Sequence, residues 1–277
     1  MRARQLPDWR KPLRLVATDA LVVVTGIVVY FGVRGLTAGS PETARDHALD
    51  ILALEKDLGL DVEAGVQALL VDVDPLVTFA NWVYIWGHWP VIVITLVWLA
   101  LNNRRFFLRL RNSMIASGAL GLCVYTTYPV APPRLLGNGY VDTVTEQSNS
   151  YRVLQPPAFV NQYAAMPSLH VGWDLLVGLT IATAATTALW RFFGRLMPVL
   201  MAAATVITAN HYVLDVLAGA AFGLAGWAIA LQLERRRDRR EAARPPVVDL
   251  QLPAPRSAPD PSVVPGAGAQ RRSADAP

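Results

Sequence analysis

The chain has 277 residues, of which 53% are hydrophobic and 17% charged, with a formal net charge of +4. That balance excludes an ordinary soluble domain, and a lone cysteine excludes an intrachain disulfide framework. The basic residues fall in short clusters beside apolar runs, a pattern of membrane topology and anionic-lipid contact that argues against a nucleic-acid partner.

Residues 1–13 form a basic N-terminus carrying Arg2, Arg4, Arg10 and Lys11. Apolar runs then recur at Leu15–Phe31, Leu76–Leu101, Met114–Tyr128, Leu169–Trp190, Leu196–Leu214 and Val216–Leu233. A helix needs about 20 such residues to cross the hydrocarbon core, so the expectation is an all-α membrane protein with six spanning helices over residues 14–233. The first run has no clean small-residue cleavage site and is expected to be a span, not a signal peptide. Cys123, inside the third run, is expected to be a small buried hydrophobe.

Between the first two runs, residues 39–73 are expected to form two short amphipathic helices on the outer membrane surface. Ser40 is placed as a cap and Pro41 at the first helical position, while "DLGLDVEAG" interrupts the pattern. Leu49, Leu52, Ala53 and Leu60 fall near one face, and His47 among charges reads as a solvated surface residue. Residues 129–167 hold several prolines and a Gly-Asn-Gly turn signal, which predicts a long exterior loop of functional kind. From residue 234 the chain reads as a basic segment, "ERRRDRRE", followed by a polar tail lacking aromatics and expected to be disordered to residue 277.

Orientation follows from the arginines. Arg104, Arg105, Arg109, Arg111, Arg191 and Arg195 lie in alternate connections on the same side as both termini, which the positive-inside rule places in the cytoplasm. With that topology, "MPSLH" (166–170) opens the fourth span at the exterior face, and "NHYVLD" (210–215) joins the fifth to the sixth at the same level. Arg134 lies on the exterior loop. Four polar groups distant in sequence thus converge where polar groups are costly.

Each residue type suits phosphoryl chemistry. Ser168 caps a helix start whose free backbone N–H groups, at Ser168 and Leu169, can seat a phosphate. Arg134 adds a fork of donors to the same group. In His211-x-x-x-Asp215, helical spacing lets the carboxylate hold the imidazole tautomer and leaves the other nitrogen free to attack. One nucleophilic histidine and one acidic histidine, His211 and His170, suffice to move a phosphoryl group without metal or other cofactor. Asn210, Tyr212 and Ser168 are expected as neighbouring donors. Taken singly, each of these is also compatible with capping, packing or helix stabilisation.

"PPR" at 132–134, "PSLH" at 167–170 and "HYVLD" at 211–215 together resemble the three motifs of the type-2 phosphatidic acid phosphatase (PAP2) superfamily. The resemblance implies a six-helix catalytic bundle working without metal. It implies His211 as the nucleophile that becomes phosphohistidine, Asp215 as its orienting acid, His170 as the acid that protonates the leaving group, and Arg134 as a phosphate ligand. Two cations usual in these motifs are missing, Thr127 and Thr205 standing in or beside their places, and Arg152 is a candidate replacement. "YPVAPPR", "NHYVLD" and "NWVYIWGHWP" (81–90) are similar to the inositol-phosphorylceramide synthase-like subgroup, which implies headgroup transfer and places Asn81, Tyr84 and His88 toward the pocket. The donor is then a membrane phospholipid or isoprenyl phosphate, the acceptor water or a sugar or lipid hydroxyl. Hydrolysis of a lipid phosphate and non-catalytic binding or transport of an anionic lipid stay open as alternatives. The Ala/Arg/Pro-rich composition is associated with high-GC bacteria, so the expected location is the bacterial cytoplasmic membrane, with the site facing outward.

Overall fold

The computed structural model describes residues 10–37, 39–137, 139–147 and 161–243. Every regular element among them is helical: α1 (Arg10–Leu36), α2 (Pro41–Leu58), α3 (Glu63–Leu70), α4 (Asp74–Trp86), α5 (Trp89–Asn102), α6 (Arg104–Thr127), a 3-10 turn at Pro133–Leu135, α7 (Thr143–Gln147), α8 (Leu169–Ala184), α9 (Ala188–Ile207) and α10 (Val213–Ala242). The only extended pairing among the described residues is an isolated parallel bridge between Val130 and Ala164.

By length and apolarity, three of these helices are able to cross a membrane, at Ala17–Leu36, Ala188–Ile207 and Val213–Ala242. α4 and α5 make a fourth if taken as one span bent by 42°. The bend has a local cause. Gly87 and His88 separate the two helices, and Pro90 in the first turn of α5 has no N–H to continue the α4 ladder. The remaining long helices fall short for physical reasons. α6 has 24 residues but opens on Arg104, Arg105, Arg109 and Arg111, and α8 has only 16 residues.

α8 sits at the centre, packed by α6, α9 and α10, and buries Leu169, Val171, Trp173, Leu176, Val177 and Ile181. Its backbone touches its neighbours through glycine. A Cβ on Gly172 would stand 2.5 Å from the Gly219 carbonyl oxygen on α10, and one on Gly219 would stand 2.0 Å from that of Ser168. This is the small-residue packing by which helices associate where apolar burial alone offers no drive. Large apolar side chains such as Leu21, Val28, Trp82, Ile94, Leu101 and Phe192 point outward. Cys123 is exposed as well, on the outward side of α6, and not buried as its apolar surroundings suggested.

One end of the bundle is tied by ion pairs: Asp19 of α1 with Arg104 and Arg111, and Glu234 of α10 with Arg105 and Arg109. The other end is built from loops. There the 129–136 segment runs between α2, residues 163–165 and the turn after α9, joined by Val130 N–H to Tyr163 O (2.7 Å), Ala131 N–H to Ala44 O (2.9 Å) and Arg134 N–H to Ala209 O (2.9 Å). α2 lies on this segment. Ser40 caps it and Gly59, with φ of 70°, ends it, as the sequence predicts. Its buried face, however, is Ala44, Ala48, Ile51 and Glu55, while Leu49 is exposed. Small alanines let the helix approach the loop backbone; Leu52 packs against this cluster as expected, while Leu49, Leu54 and Leu58 are left outside. His47 is not simply solvated: its ring stacks on Tyr128 at 3.8 Å and its Nδ1 bonds the Pro129 carbonyl at 2.8 Å.

Candidate active site

His211 is set by the turn that follows α9. Ala209 takes a left-handed φ of 52°, and the N–H groups of Asn210 and His211 both donate to Thr205 O, at 3.0 and 3.2 Å. The chain is thereby reversed within a few residues, leaving His211 just before α10 rather than on it. This changes the expected role of Asp215. His211 Nδ1 donates to the Ala165 carbonyl at 2.8 Å, and the Asp215 carboxylate lies farther off, at 3.5 Å. Ala165 therefore sets the tautomer first, with Asp215 adding charge behind it, and Nε2 remains the nitrogen free for chemistry. Asp215 also accepts the Tyr212 N–H at 3.0 Å, capping α10.

The rest of that helix start is satisfied from α2 and α3. Val213 N–H donates to Glu63 Oε1 and Leu214 N–H to Glu55 Oε1, each at 2.7 Å. Both carboxyls have no exposed surface, and their Oε2 atoms find no donor. Burial, with Glu63 beside it, pushes Glu55 up to about 8. Tyr212, fully buried, donates its hydroxyl to Ala131 O at 2.9 Å. The segment on which His211 stands is thus held at several points by α2, α3 and the 129–136 loop.

His170 stands in the first turn of α8, behind the Ser168 cap. Ser168 is fully buried, and its own N–H donates to the Asp215 carbonyl at 2.9 Å, sewing the start of α8 to the first turn of α10. Leu169 packs its side chain into the core. Tyr125 of α6 donates to Pro167 O at 2.7 Å, across the cis Met166–Pro167 bond. The His170 ring is flanked by Tyr84 at 4.5 Å and His88 at 4.4 Å, with His211 at 5.8 Å. Three histidines from three parts of the chain form one cluster.

Arg134 reaches the same site from the loop. Its Nε donates to Asn210 Oδ1 at 2.9 Å, and Nη1 pairs with Asp142 at 3.0 Å. Asn210 is in turn fixed by Thr208. Asn81 is engaged elsewhere, exchanging hydrogen bonds with Thr143 of α7. Thr127 and Thr205, in the places of missing motif cations, both turn their hydroxyls back to their own helices, bonding Cys123 O at 2.7 Å and Ala202 O at 2.8 Å. Arg152 lies outside the described residues. Arg34, from the end of α1, reaches Asn161 O at 3.5 Å.

Sequence reasoning missed Asp174. It is fully buried in α8 and its Oδ1 lies 2.8 Å from His88 Nδ1. A signal was present: "HVGWD" at 170–174 repeats the His-x-x-x-Asp spacing of "HYVLD" at 211–215. Glu55 and Glu63 were also missed, although Glu55 continues the face of Ala44, Ala48 and Ile51. Arg34, at the end of an apolar run, had no distinguishing pattern. Among the described residues no group of three or more His, Cys, Asp or Glu is arranged to hold a metal ion.

A family model described as PAP2 superfamily matches residues 49–229 of the chain. No curated protein and no solved structure matches it significantly. The matched region runs from α2 through most of α10 and includes Arg134, His170, His211 and Asp215. Members of this superfamily are generally phosphatases or phosphotransferases, and a helical bundle bearing these groups at one end fits that chemistry. The chain belongs to the PAP2 superfamily.

Proposed function

We propose that the protein is a membrane-embedded enzyme that moves a phosphodiester headgroup from a phospholipid to a hydroxyl acceptor through a histidine-bound intermediate. His211 Nε2 attacks phosphorus, forming a P–N bond as the P–O bond to the leaving alcohol breaks. His170 gives its proton to that oxygen. In the second half, the acceptor hydroxyl loses its proton to His170, its oxygen attacks phosphorus, and the P–N bond breaks. The 5.8 Å between the two rings is compatible with both reaching one phosphate, with Arg134 as its charged ligand.

The observation that supports transfer of a diester is that Arg134, the arginine expected at the phosphate, is already paired with an acid. A phosphate monoester carries about −1.5 to −2 at neutral pH, a diester only −1. Arg134 is already offset by Asp142, and Thr127 and Thr205 supply no cation. A monoanion suits such a site better than a dianion. We further place six spans, α1, the bent α4–α5 pair, α6, α8, α9 and α10, with the termini cytoplasmic and the site at the outer face. α8 spans about 24 Å at 1.5 Å per residue, and is short because other helices surround it, so it need not meet lipid along its length. The arginines of α6 and of the end of α10 lie at the opposite end from His211, as the positive-inside rule requires.

The test uses purified enzyme in detergent with labelled phosphatidylinositol and a lipid hydroxyl acceptor, EDTA present, and His211→Ala as control. A new headgroup-bearing lipid without free phosphate, lost in the variant, is the expected result. Free phosphate from phosphatidic acid without any headgroup transfer would make the protein a lipid phosphatase instead. Failure of both would remove the enzymatic reading.

A further inference from the structure

One buried polar pair beside His170 takes no part in the proposed reaction. His88 and Asp174 are both buried, and the Asp174 carboxylate has one oxygen on His88 Nδ1 at 2.8 Å while Oδ2 finds no donor. A carboxylate with no exposed surface on a short apolar helix is costly, and such groups are rarely retained without a task. The backbone is arranged around it. The break between α4 and α5 falls at Gly87–His88, and an uninterrupted helix would carry the imidazole in a different direction. Irregular backbone at membrane depth is tolerated only where it is buried in protein or lines a cavity.

Asp174 stands one helical turn after His170, where i,i+4 spacing would allow it to pair with that ring. It pairs instead with His88, whose ring lies 4.4 Å from His170. The other groups around this cluster are Tyr84, stacked on His170, His211 at 5.8 Å, and Trp89 and Trp173 against His88. His170 is thus enclosed by the rings of Tyr84, His88 and His211. It must nevertheless carry a proton to the leaving oxygen.

We propose that His88 and Asp174 are a second histidine–aspartate pair that positions His170 and balances its charge, so that His170 can hold and deliver its proton. Asp174 accepts the His88 Nδ1–H, which fixes the His88 ring as one wall of the stack. The carboxylate also places a negative charge beside two imidazoles, offsetting the positive charge that His170 gains on protonation. Both are positioning residues: they act through His170 and need not touch substrate. The inference rests on the proposed role of His170 as the acid, and deepens that reading.

The test exploits leaving-group chemistry. Two lipid phosphate esters are compared that differ only in the leaving group, p-nitrophenol or a primary alcohol. The phenolate departs without a proton, whereas the alkoxide needs one. Asp174→Asn, which keeps the shape but not the charge, and His88→Gln, which removes the imidazole, are assayed on both. The expected result is a fall of about 10- to 100-fold in kcat/KM for the alkyl ester, within the range that general acid catalysis supplies, with the aryl ester changed less than about threefold. Retained aryl turnover also shows that each variant is folded. An equal loss on both esters in both variants would overturn the proposal and leave the pair as a strut between α5 and α8. If the unaltered enzyme turns over neither ester, the failure lies with the enzymatic reading, and the pair has no acid to serve.

Discussion

Replacing Gly219 with alanine tests whether helix contact at the site depends on bare backbone. The added methyl carbon would stand 2.0 Å from the Ser168 carbonyl oxygen and 2.8 Å from its carbon. Ordinary contact begins at 3.4 Å, so α10 and the start of α8 must part by roughly 1.4 Å, and both partners are backbone with no rotamer to yield. The Ser168 N–H to Asp215 carbonyl bond, 2.9 Å long, bridges the same contact and must lengthen with it. Overpacking costs about 1–3 kcal/mol and the lost bond about 1 more, so a loss of about 2–4 kcal/mol is expected. The displacement also separates His211 from His170, and a misplacement of about 1 Å in reacting groups is worth on the order of 100-fold in rate. Thermal denaturation in detergent and turnover with phosphatidylinositol read the two effects, with Gly32→Ala, which meets nothing within 4 Å, as the control. A Gly219→Ala enzyme as stable and active as the control would refute the close-approach argument.

The acid pair beneath α10 predicts an unusual pH dependence. Glu55 has its proton affinity raised in the folded state, to about 8 from 4.5, so the folded protein binds more protons than the unfolded one between these values. Its contribution is fully present below about pH 4.5 and declines as pH rises to about 8, by at most about 1.4 kcal/mol per pH unit. Glu55→Gln keeps an acceptor for Leu214 and offers Glu63 a permanent donor; its thermal midpoint is expected to stay level over that interval while the parent's falls. A parallel fall in both proteins would show that Glu55 is not the group responsible. Arg134→Lys removes the fork that meets Asn210 and Asp142 together. A loss of about 10- to 100-fold in kcat/KM for headgroup transfer is expected, from charged hydrogen bonds worth about 1.5–3 kcal/mol; wild-type kinetics would remove Arg134 from the phosphate site.

Composition and pattern alone determined that the chain is helical and belongs in a membrane, because apolar runs of spanning length permit little else. The sequence also marks Ser40 and Ser168 as helix caps, and the alternation of basic connections leads to the expectation that His170, His211, Asp215 and Arg134 share one level. These are local or one-dimensional signals, and the structure brings the same four residues to one end of the bundle. The sequence reads Leu76–Leu101 as one continuous run, and the bend at Gly87–His88 emerges only in the structure, since packing decides where a kinked helix points. Which atom holds the His211 ring could not be read from the His-x-x-x-Asp spacing. Ala165 is 46 residues away, and the turn at Ala209 removes His211 from the helix on which that spacing depends. Likewise the buried carboxyls of Glu55 and Glu63 look like surface acids of amphipathic helices until α2 and α3 are folded over the start of α10. Asp174 looks like a flaw in an apolar run until the break in another helix brings His88 against it. Spacing along a helix is set by covalent geometry, but a partner across a bundle is chosen by packing, and there the tertiary structure alone decides.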